Sequence, residues 1–407
     1  MNNTVIVFHC VPHEIEANIE LLWVSLKKAL IKQKIALLVV STTKIVEKEL
    51  DHLIVPFDLR LLATDDIKKS TESIESGLRD TIARWYRIQL TDAENILKAA
   101  ERFHKTLIET HRPIAVVSWQ SSHPFSRIMR MECVRRDIPW WSAERGWLPN
   151  TIMIDLCENN YLTEAKRSLT IRRLLKNYRP SKYEIDNFLE KVKRIETISR
   201  YPKENRKQSP LRKRYHIDQK SAIWTIFTHG EPHVNELTTS IRNVHYPTGE
   251  SLNEQLIKIA IELKKAGDTL IVREHPFNKI YDRMTKGPAS LSNVIYHEGD
   301  IEELISETFV GLFTLSTLQF SWAMKEKPFG LLSRSLLSGL GLAPEWENFS
   351  STAQFLNECS DTVKWRERKT LILDKLSIIY NYALIDISPQ NLNDSAEELS
   401  DILVSKP

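Results

Sequence analysis

Short apolar runs rich in β-branched residues alternate with stretches of helical spacing over residues 4–155, and the alternation resumes at residue 221. No other feature restricts the fold as strongly. A parallel strand buried on both faces reads as an unbroken apolar run, and the crossover to its neighbour needs a helix. In the first half Thr4–Cys10, Lys34–Thr42 and Pro113–Trp119 read as strands, and Glu14–Gln33, Arg79–His111 and Phe125–Arg136 as helices. In the second half Ser221–Thr228, Asp268–Glu274, Val294–Tyr296 and Val310–Thr314 read as strands. Ser251–Ala266, closed by Gly267, then Ile301–Glu307 and Leu318–Lys325 read as helices, and Lys327-Pro328-Phe329-Gly330 leads into a further strand. The expectation is an α/β protein with two Rossmann-like domains, each binding its ligand at the carboxyl ends of its strands.

A chain of 407 residues exceeds what one hydrophobic core usually organises. The expected division is residues 1–165 and 216–345 as the two domains, with 166–215 between them. That middle segment is rich in Lys and Arg and broken by Pro202 and Pro210, so it reads as a basic helical arm and linker. A solvated face is its first reading; contact with an anionic membrane leaflet or an acidic polymer is the second. Residues 346–407 read as helices that return to the first domain.

The formal charge of +3 gives no reason to expect a nucleic-acid partner. Cys10, Cys133, Cys157 and Cys359 lie apart without a CxxC pair, as buried thiols in a reducing compartment do. The first residues lack the pattern of a signal peptide, and no run has the ~20 apolar residues that span a bilayer. A cytoplasmic location follows as the expectation, with the inner membrane surface as the place where the basic arm would act. His9, His13, His245 and His297 have no spacing that suggests a metal, so none is expected.

The run from Trp140 to Asp155 is where chemistry is expected to centre. An apolar strand ends in Glu144-Arg145-Gly146, Pro149 stiffens the exit, and Thr151–Asp155 brings a second acid. Glycine there permits a turn or a close approach. Trp119, Gln120, His123 and Glu144 all fall at the predicted strand rim of the first domain. Trp119, Trp140, Trp141 and Trp147 suit either a core or a sugar-stacking wall. His123 suits either a helix start or an acceptor contact, and Asp155 either a cap or a site carboxylate.

Three strand tips in the second domain suit a phosphate: Thr228-His229-Gly230, Arg273 with His275-Pro276, and Ser316-Thr317 at a helix start. A Ser-Thr pair there also serves simply as an N-cap. No Walker loop or GxGxxG competes for the assignment.

The order Glu144-Arg145-Gly146, His275-Pro276, Ser316-Thr317 resembles GT-B glycosyltransferases that use CMP-activated ulosonic sugars, the bacterial sialyltransferases and Kdo transferases. The run from Ser118-Trp119 through Glu144–Pro149 to Asp155 is similar to capsule polysaccharide biosynthesis proteins, and the likeness covers about residues 110–335. It implies two Rossmann-like domains facing across a cleft, a nucleotide sugar bound by the second and a saccharide acceptor by the first, with no cofactor. It implies donor contacts from Arg273, His275, Pro276, Ser316, Thr317, His229 and Gly230, with His275 protonating the departing phosphate. It also implies Glu144 as the catalytic carboxylate, and acceptor or sugar contacts from Trp119, Gln120, His123, Arg145, Gly146 and Asp155. Arg145 stands where the family has a second acid, which leaves the stereochemistry open; it either meets the sugar carboxylate or points to solvent. Three readings follow: transfer of Kdo or a related ulosonic acid from CMP, a GT-B transferase using a UDP- or GDP-sugar or a CDP-polyol, and a non-catalytic polysaccharide-binding scaffold.

Overall fold

Strand β1 (Asn3–His9) is buried along nearly its whole length and pairs in parallel on both sides, as its apolar run requires. The computed structural model describes residues 3–9, 17–41, 49–54, 78–86, 88–119, 123–155, 174–196, 211–228, 246–274, 291–299, 301–316 and 318–405. The chain forms two units. Met1–Asn159 and Ala383–Pro407 belong to the first, Asn160–Asn235 and Thr239–Tyr382 to the second.

After β1 the first unit continues with α1 (Ala17–Lys32), β2 (Ile35–Ser41), β3 (His52–Ile54), α2 (Leu78–Tyr86) and α3 (Leu90–His111). Then come β4 (Ala115–Trp119), α4 (Pro124–Val134), β5 (Trp140–Arg145) and β6 (Thr151–Asp155). The second unit contains α5 (Lys182–Glu196), α6 (Leu211–Arg214), β7 (Ile223–Phe227), α7 (Leu252–Ala266), β8 (Thr269–Arg273) and β9 (Val294–Tyr296). It closes with α8 (Ile301–Glu307), β10 (Val310–Phe313), α9 (Leu318–Met324), β11 (Phe329–Leu331), α10 (Thr352–Ser360) and α11 (Thr362–Ala383). Strand β12 (Ile385–Asp386) and helix α12 (Leu392–Val404) return to the first unit.

The first sheet runs β12-β6-β5-β4-β1-β2-β3, the second β11-β10-β7-β8-β9. Numbered within each unit, the parallel strands follow the order 3-2-1-4-5 in both cases, which is that of a Rossmann fold. The strand order reverses between β1 and β4 in one sheet and between β7 and β10 in the other. In the first sheet β6 is antiparallel to β5 and to β12.

Alternation along the strands divides the first core in two. Val5, Val7, Val117, Trp119, Ala143 and Ile152 pack against α1 and α12, whereas Ile6, Phe8, Val116 and Trp140 pack against α2, α3 and α4. In the second unit Trp224, Ile226, Leu270 and Val272 meet α7 and α10. Helix α7 has both expected boundaries: Ser251 and Glu254 form a capping box, and Gly267 closes the helix in the left-handed region at φ 79°.

Three expectations change. The single helix over Arg79–His111 is two, because Gln89 is extended at φ −68° and ψ 153° and the Ile88 N–H donates back to the Ala83 carbonyl. A straight helix over that span would be about 50 Å long; the break lets α2 and α3 both bury apolar residues in one core. The block 346–407 is not all helical and does not act as one: β12 adds a strand to the first sheet. The described part of the basic segment also has a packed face. Phe188 and Val192 are buried, Phe188 meets Tyr380 with ring centroids 5.6 Å apart, and Tyr382 donates to Glu184 at 2.8 Å.

Candidate functional site

The carboxyl edge of the first sheet is built from the last residues of β2, β1, β4 and β5. Register sets Ser41 beside His9, His9 beside Trp119, and Trp119 beside Ala143. Glu144 shares its sheet face with Ser142 and Trp140, and so lies on the side of α4; Arg145 shares the opposite face with Ala143, on the side of α1 and α12. The two neighbours in the motif therefore serve different faces.

Glu144, expected at the strand rim, is largely buried, at 8% exposure. Its face carries further polar groups. Ser142 pairs in register with Asp155, which is also buried, and Ser118 accepts a hydrogen bond from Trp140 Nε1 at 2.9 Å. Because β6 runs antiparallel, Asp155 sits beside the middle of β5 rather than at its carboxyl end. His123 is the N-cap of α4, its Nδ1 accepting from the Phe125 N–H at 3.3 Å. Trp119 is 0% exposed, stacked on His9 and edge-on to Trp23, which makes it a core ring and leaves it no face for a sugar. Gln120 lies outside the described residues.

Gly146 has a purely steric reason. A Cβ there would stand 2.1 Å from Thr151 Oγ1 and 2.9 Å from Thr151 Cβ. The Gly146 N–H donates to the Thr151 carbonyl at 2.8 Å, and Thr151 Oγ1 is itself held by donating to the Leu148 carbonyl at 2.7 Å. The close approach expected from the sequence is thus to the facing strand of the hairpin. Gly146→Ala is expected to lower stability by about 1–3 kcal/mol. A thermal melt checks this, and an unchanged midpoint would mean that the hairpin re-routes freely.

In the second sheet the carboxyl ends of β8, β7 and β10 bring Arg273, Thr228 and Ser316 to one edge. Backbone bonds prolong the ladder past the strands: the Thr228 N–H donates to the Arg273 carbonyl at 3.1 Å, and the Leu332 N–H to the Phe313 carbonyl at 2.8 Å. Phe227 and Phe313 stack 5.1 Å apart beneath this edge, and Trp322 of α9 fits against both because Gly311 has no side chain. Ser316 Oγ accepts from the Leu318 N–H at 3.3 Å, the N-cap geometry that a Ser before a helix commonly adopts. Arg273 donates to the His297 carbonyl at 3.3 Å. His229, Gly230, His275, Pro276 and Thr317 lie outside the described residues, although each follows one of these tips in sequence.

Lys327, which leads into β11, donates to the carbonyls of Ile305, Ser306 and Thr308 and so neutralises the C-terminal end of α8. Sequence reasoning missed His297, which was weighed only for metal spacing. Its position just past the tip of a strand was the available signal. Also missed were Ser333 and Ser335 beyond β11, where Ser335 donates to Gln319 at 2.7 Å.

No group of three His, Cys, Asp or Glu side chains is placed to hold a metal ion among the described residues, and no helix among them is long and apolar enough to cross a membrane. No family profile matches the sequence, and no curated protein does. Solved structures similar to this chain include the KpsC β-Kdo 2,4 transferase of Thermosulfurimonas dismutans, with a TM-score of 0.48 at 18% identity over 71% of this chain and 87% of that one. They also include the UDP-GlcNAc 2-epimerase of Neisseria meningitidis bound to UDP-GlcNAc, with 0.39 at 15% identity over 99% and 100%. The calicheamicin glycosyltransferase CalG4 scores 0.37 at 13% identity over 100% of both chains. The strand order itself establishes the two Rossmann-like sheets, which are the components of the GT-B architecture expected from the sequence.

Proposed function

We propose that this protein is a glycosyltransferase of bacterial surface polysaccharide synthesis, moving Kdo or a related ulosonic acid from a CMP donor to a saccharide acceptor. One observation carries the reading: motifs that resemble those of CMP-ulosonic transferases fall at or just beyond the carboxyl edges of two 3-2-1-4-5 sheets. Glu144-Arg145-Gly146 ends a strand of the first sheet. Arg273 and Ser316 lie at the edge of the second, with His275-Pro276 and Thr317 next in sequence.

In this mechanism the second unit binds the nucleotide. Ser316, Thr317 and His275 hydrogen-bond the CMP phosphate, so negative charge growing on the leaving group meets fixed donors. His275 gives that phosphate a proton as it departs. Glu144 takes the proton of the acceptor hydroxyl that attacks the anomeric carbon. Such chemistry is internally balanced and calls for no redox partner.

Calorimetry with CMP, UMP and GMP tests the donor assignment. CMP is expected to bind tightest, and His275→Ala to weaken it about tenfold, the loss of one charge-assisted hydrogen bond. Preference for UMP or GMP would move the donor to another nucleotide sugar. A nucleotide held by the first unit would remove the reading altogether. The low exposure of Glu144 favours a second reading, a polysaccharide-binding protein of the same architecture without turnover; CMP release from CMP-Kdo separates the two.

A further inference from the structure

Arg273 ends β8, and a group that holds its side chain lies on the next strand of the second sheet. Arg273 Nη1 donates to the His297 carbonyl at 3.3 Å, slightly longer than the usual range for such a bond. His297 directly follows β9, the three-residue strand at the end of the sheet order. Its N–H donates to the Val272 carbonyl at 3.0 Å, which carries the β8–β9 ladder one residue further. A carbonyl just past so short an edge strand is easily displaced, and a bond already long tolerates little displacement.

The His297 side chain supplies an anchor. It is 2% exposed, and its Nδ1 stands 3.0 Å from the Tyr215 hydroxyl, with the two rings edge-on at 5.8 Å. Tyr215 is fastened in turn. It follows α6, whose Arg214 places its guanidinium 5.8 Å from the Tyr215 ring centroid and donates to both carboxylate oxygens of Glu303 in α8, at 2.8 and 3.0 Å. At the start of α6 the Leu211 N–H donates to Glu307, the last residue of α8, at 2.8 Å. Packing accounts for the rings of Tyr215 and His297, since apolar side chains would fill the same space without desolvating a hydroxyl and a ring nitrogen. It does not account for the polar bond between them, which fixes the imidazole and with it the His297 backbone.

We propose that Tyr215 and His297 are positioning residues for donor binding: their hydrogen bond fixes the His297 carbonyl, and that carbonyl holds the Arg273 guanidinium where the nucleotide meets it. The inference rests on the transferase reading, which has Arg273 as a donor contact, and adds the residues that aim it. An arginine side chain left to rotate would lose rotamer entropy at each binding event, whereas one tethered in place has lost it on folding. The chain of contacts begins in α6, so the turn that leads out of the basic segment takes part in setting nucleotide affinity without touching the nucleotide.

The test measures CMP binding to the full-length protein by calorimetry, for wild type, Tyr215→Phe, Arg273→Ala and the double variant, well below their melting temperatures. Wild type is expected to bind CMP, Arg273→Ala about tenfold more weakly and Tyr215→Phe about threefold more weakly. In the Arg273→Ala background Tyr215→Phe should have no further effect, because the group it aims is gone. His297→Asn, whose amide can stand where Nδ1 stands, should keep most of the affinity, and His297→Leu should fall to the level of Tyr215→Phe. The inference would be overturned by a Tyr215→Phe variant that binds CMP as wild type does, or that weakens binding equally with and without Arg273. The same holds if Arg273→Ala leaves CMP affinity unchanged, or if His297→Asn binds no better than His297→Leu. Denaturant melts of the first four proteins without nucleotide keep this failure distinct from that of the transferase reading. The midpoint of the double variant should shift by less than the sum of the two single shifts, as members of one network do. A wild type that does not bind CMP strikes the transferase reading, whatever the melts show; additive melts strike the tether, whatever binds.

Discussion

Glu144→Gln is expected to slow sugar transfer by about 10²–10⁴-fold, the usual contribution of a positioned general base. The amide has the size of the carboxylate and keeps an acceptor oxygen, so the strand β5 and its pairing with β6 should persist. It cannot take a proton. CMP affinity should stay at its wild-type value, because the nucleotide belongs to the other unit in the proposed mechanism. The low exposure of this side chain sharpens the experiment. A carboxylate that only completes a buried polar face beside Ser142 and Asp155 would show itself in the melting temperature and leave the rate alone. A variant that turns over CMP-Kdo at the wild-type rate would transfer the role to another group or favour the binding-protein reading.

The second large effect concerns acid. His9 and His104 both lie in the first unit, fully buried, and burial holds each pKa down to about 3 against an ordinary value of 6.5. His104 packs edge-on against Phe8 at 4.8 Å, and its Nδ1 is buried with no hydrogen-bond partner among the described residues, a poor setting for a charged ring. The unfolded chain therefore binds protons at these two sites before the folded chain does. Their contribution to stability is complete above about pH 6.5 and falls as the pH drops toward 3. With two sites the slope approaches about 2–3 kcal/mol per pH unit in the middle of that window. Denaturant melts between pH 7 and 4.5 should show the first unit failing first, and His104→Phe should remove about half of the pH dependence. A flat profile would mean that these rings titrate like solvated histidines.

Much of the fold could be read from residue pattern, and the reasons are local. Short strands such as Val294–Tyr296, and helices with both boundaries written into them, such as α7 between Ser251 and Gly267, appear where expected. Strand order, by contrast, is decided by which faces the helices cover, and no stretch of sequence encodes that by itself. The break before Leu90 escaped because Ile88 and Gln89 are tolerable helix residues, overruled by the packing of α2 and α3 into one core. Two-residue β12 is too short to have a period.

At the candidate site, the opposed directions of Glu144 and Arg145 were implicit in the strand assignment, since neighbours in a strand alternate. The burial of Trp119 was not, because its core includes residues of β12 and α12, contributed from far along the chain.

Those distant elements have a consequence for biogenesis. Strand β12 covers the outer edge of β6, and α12 lies along α1, where Ser25 donates to Asn393 at 3.1 Å and Gln33 to Ser400 at 3.0 Å. Ile385, Leu399 and Leu403 are part of the same apolar core as Val5 and Trp119. A ribosome making this protein thus releases the first sheet with a raw border and a greasy helix, then spends more than half the message on the other unit before supplying the cover. The lobe begun before the other is completed after it, and for that interval it presents an unpaired sheet edge and uncovered apolar residues, the features that favour aggregation.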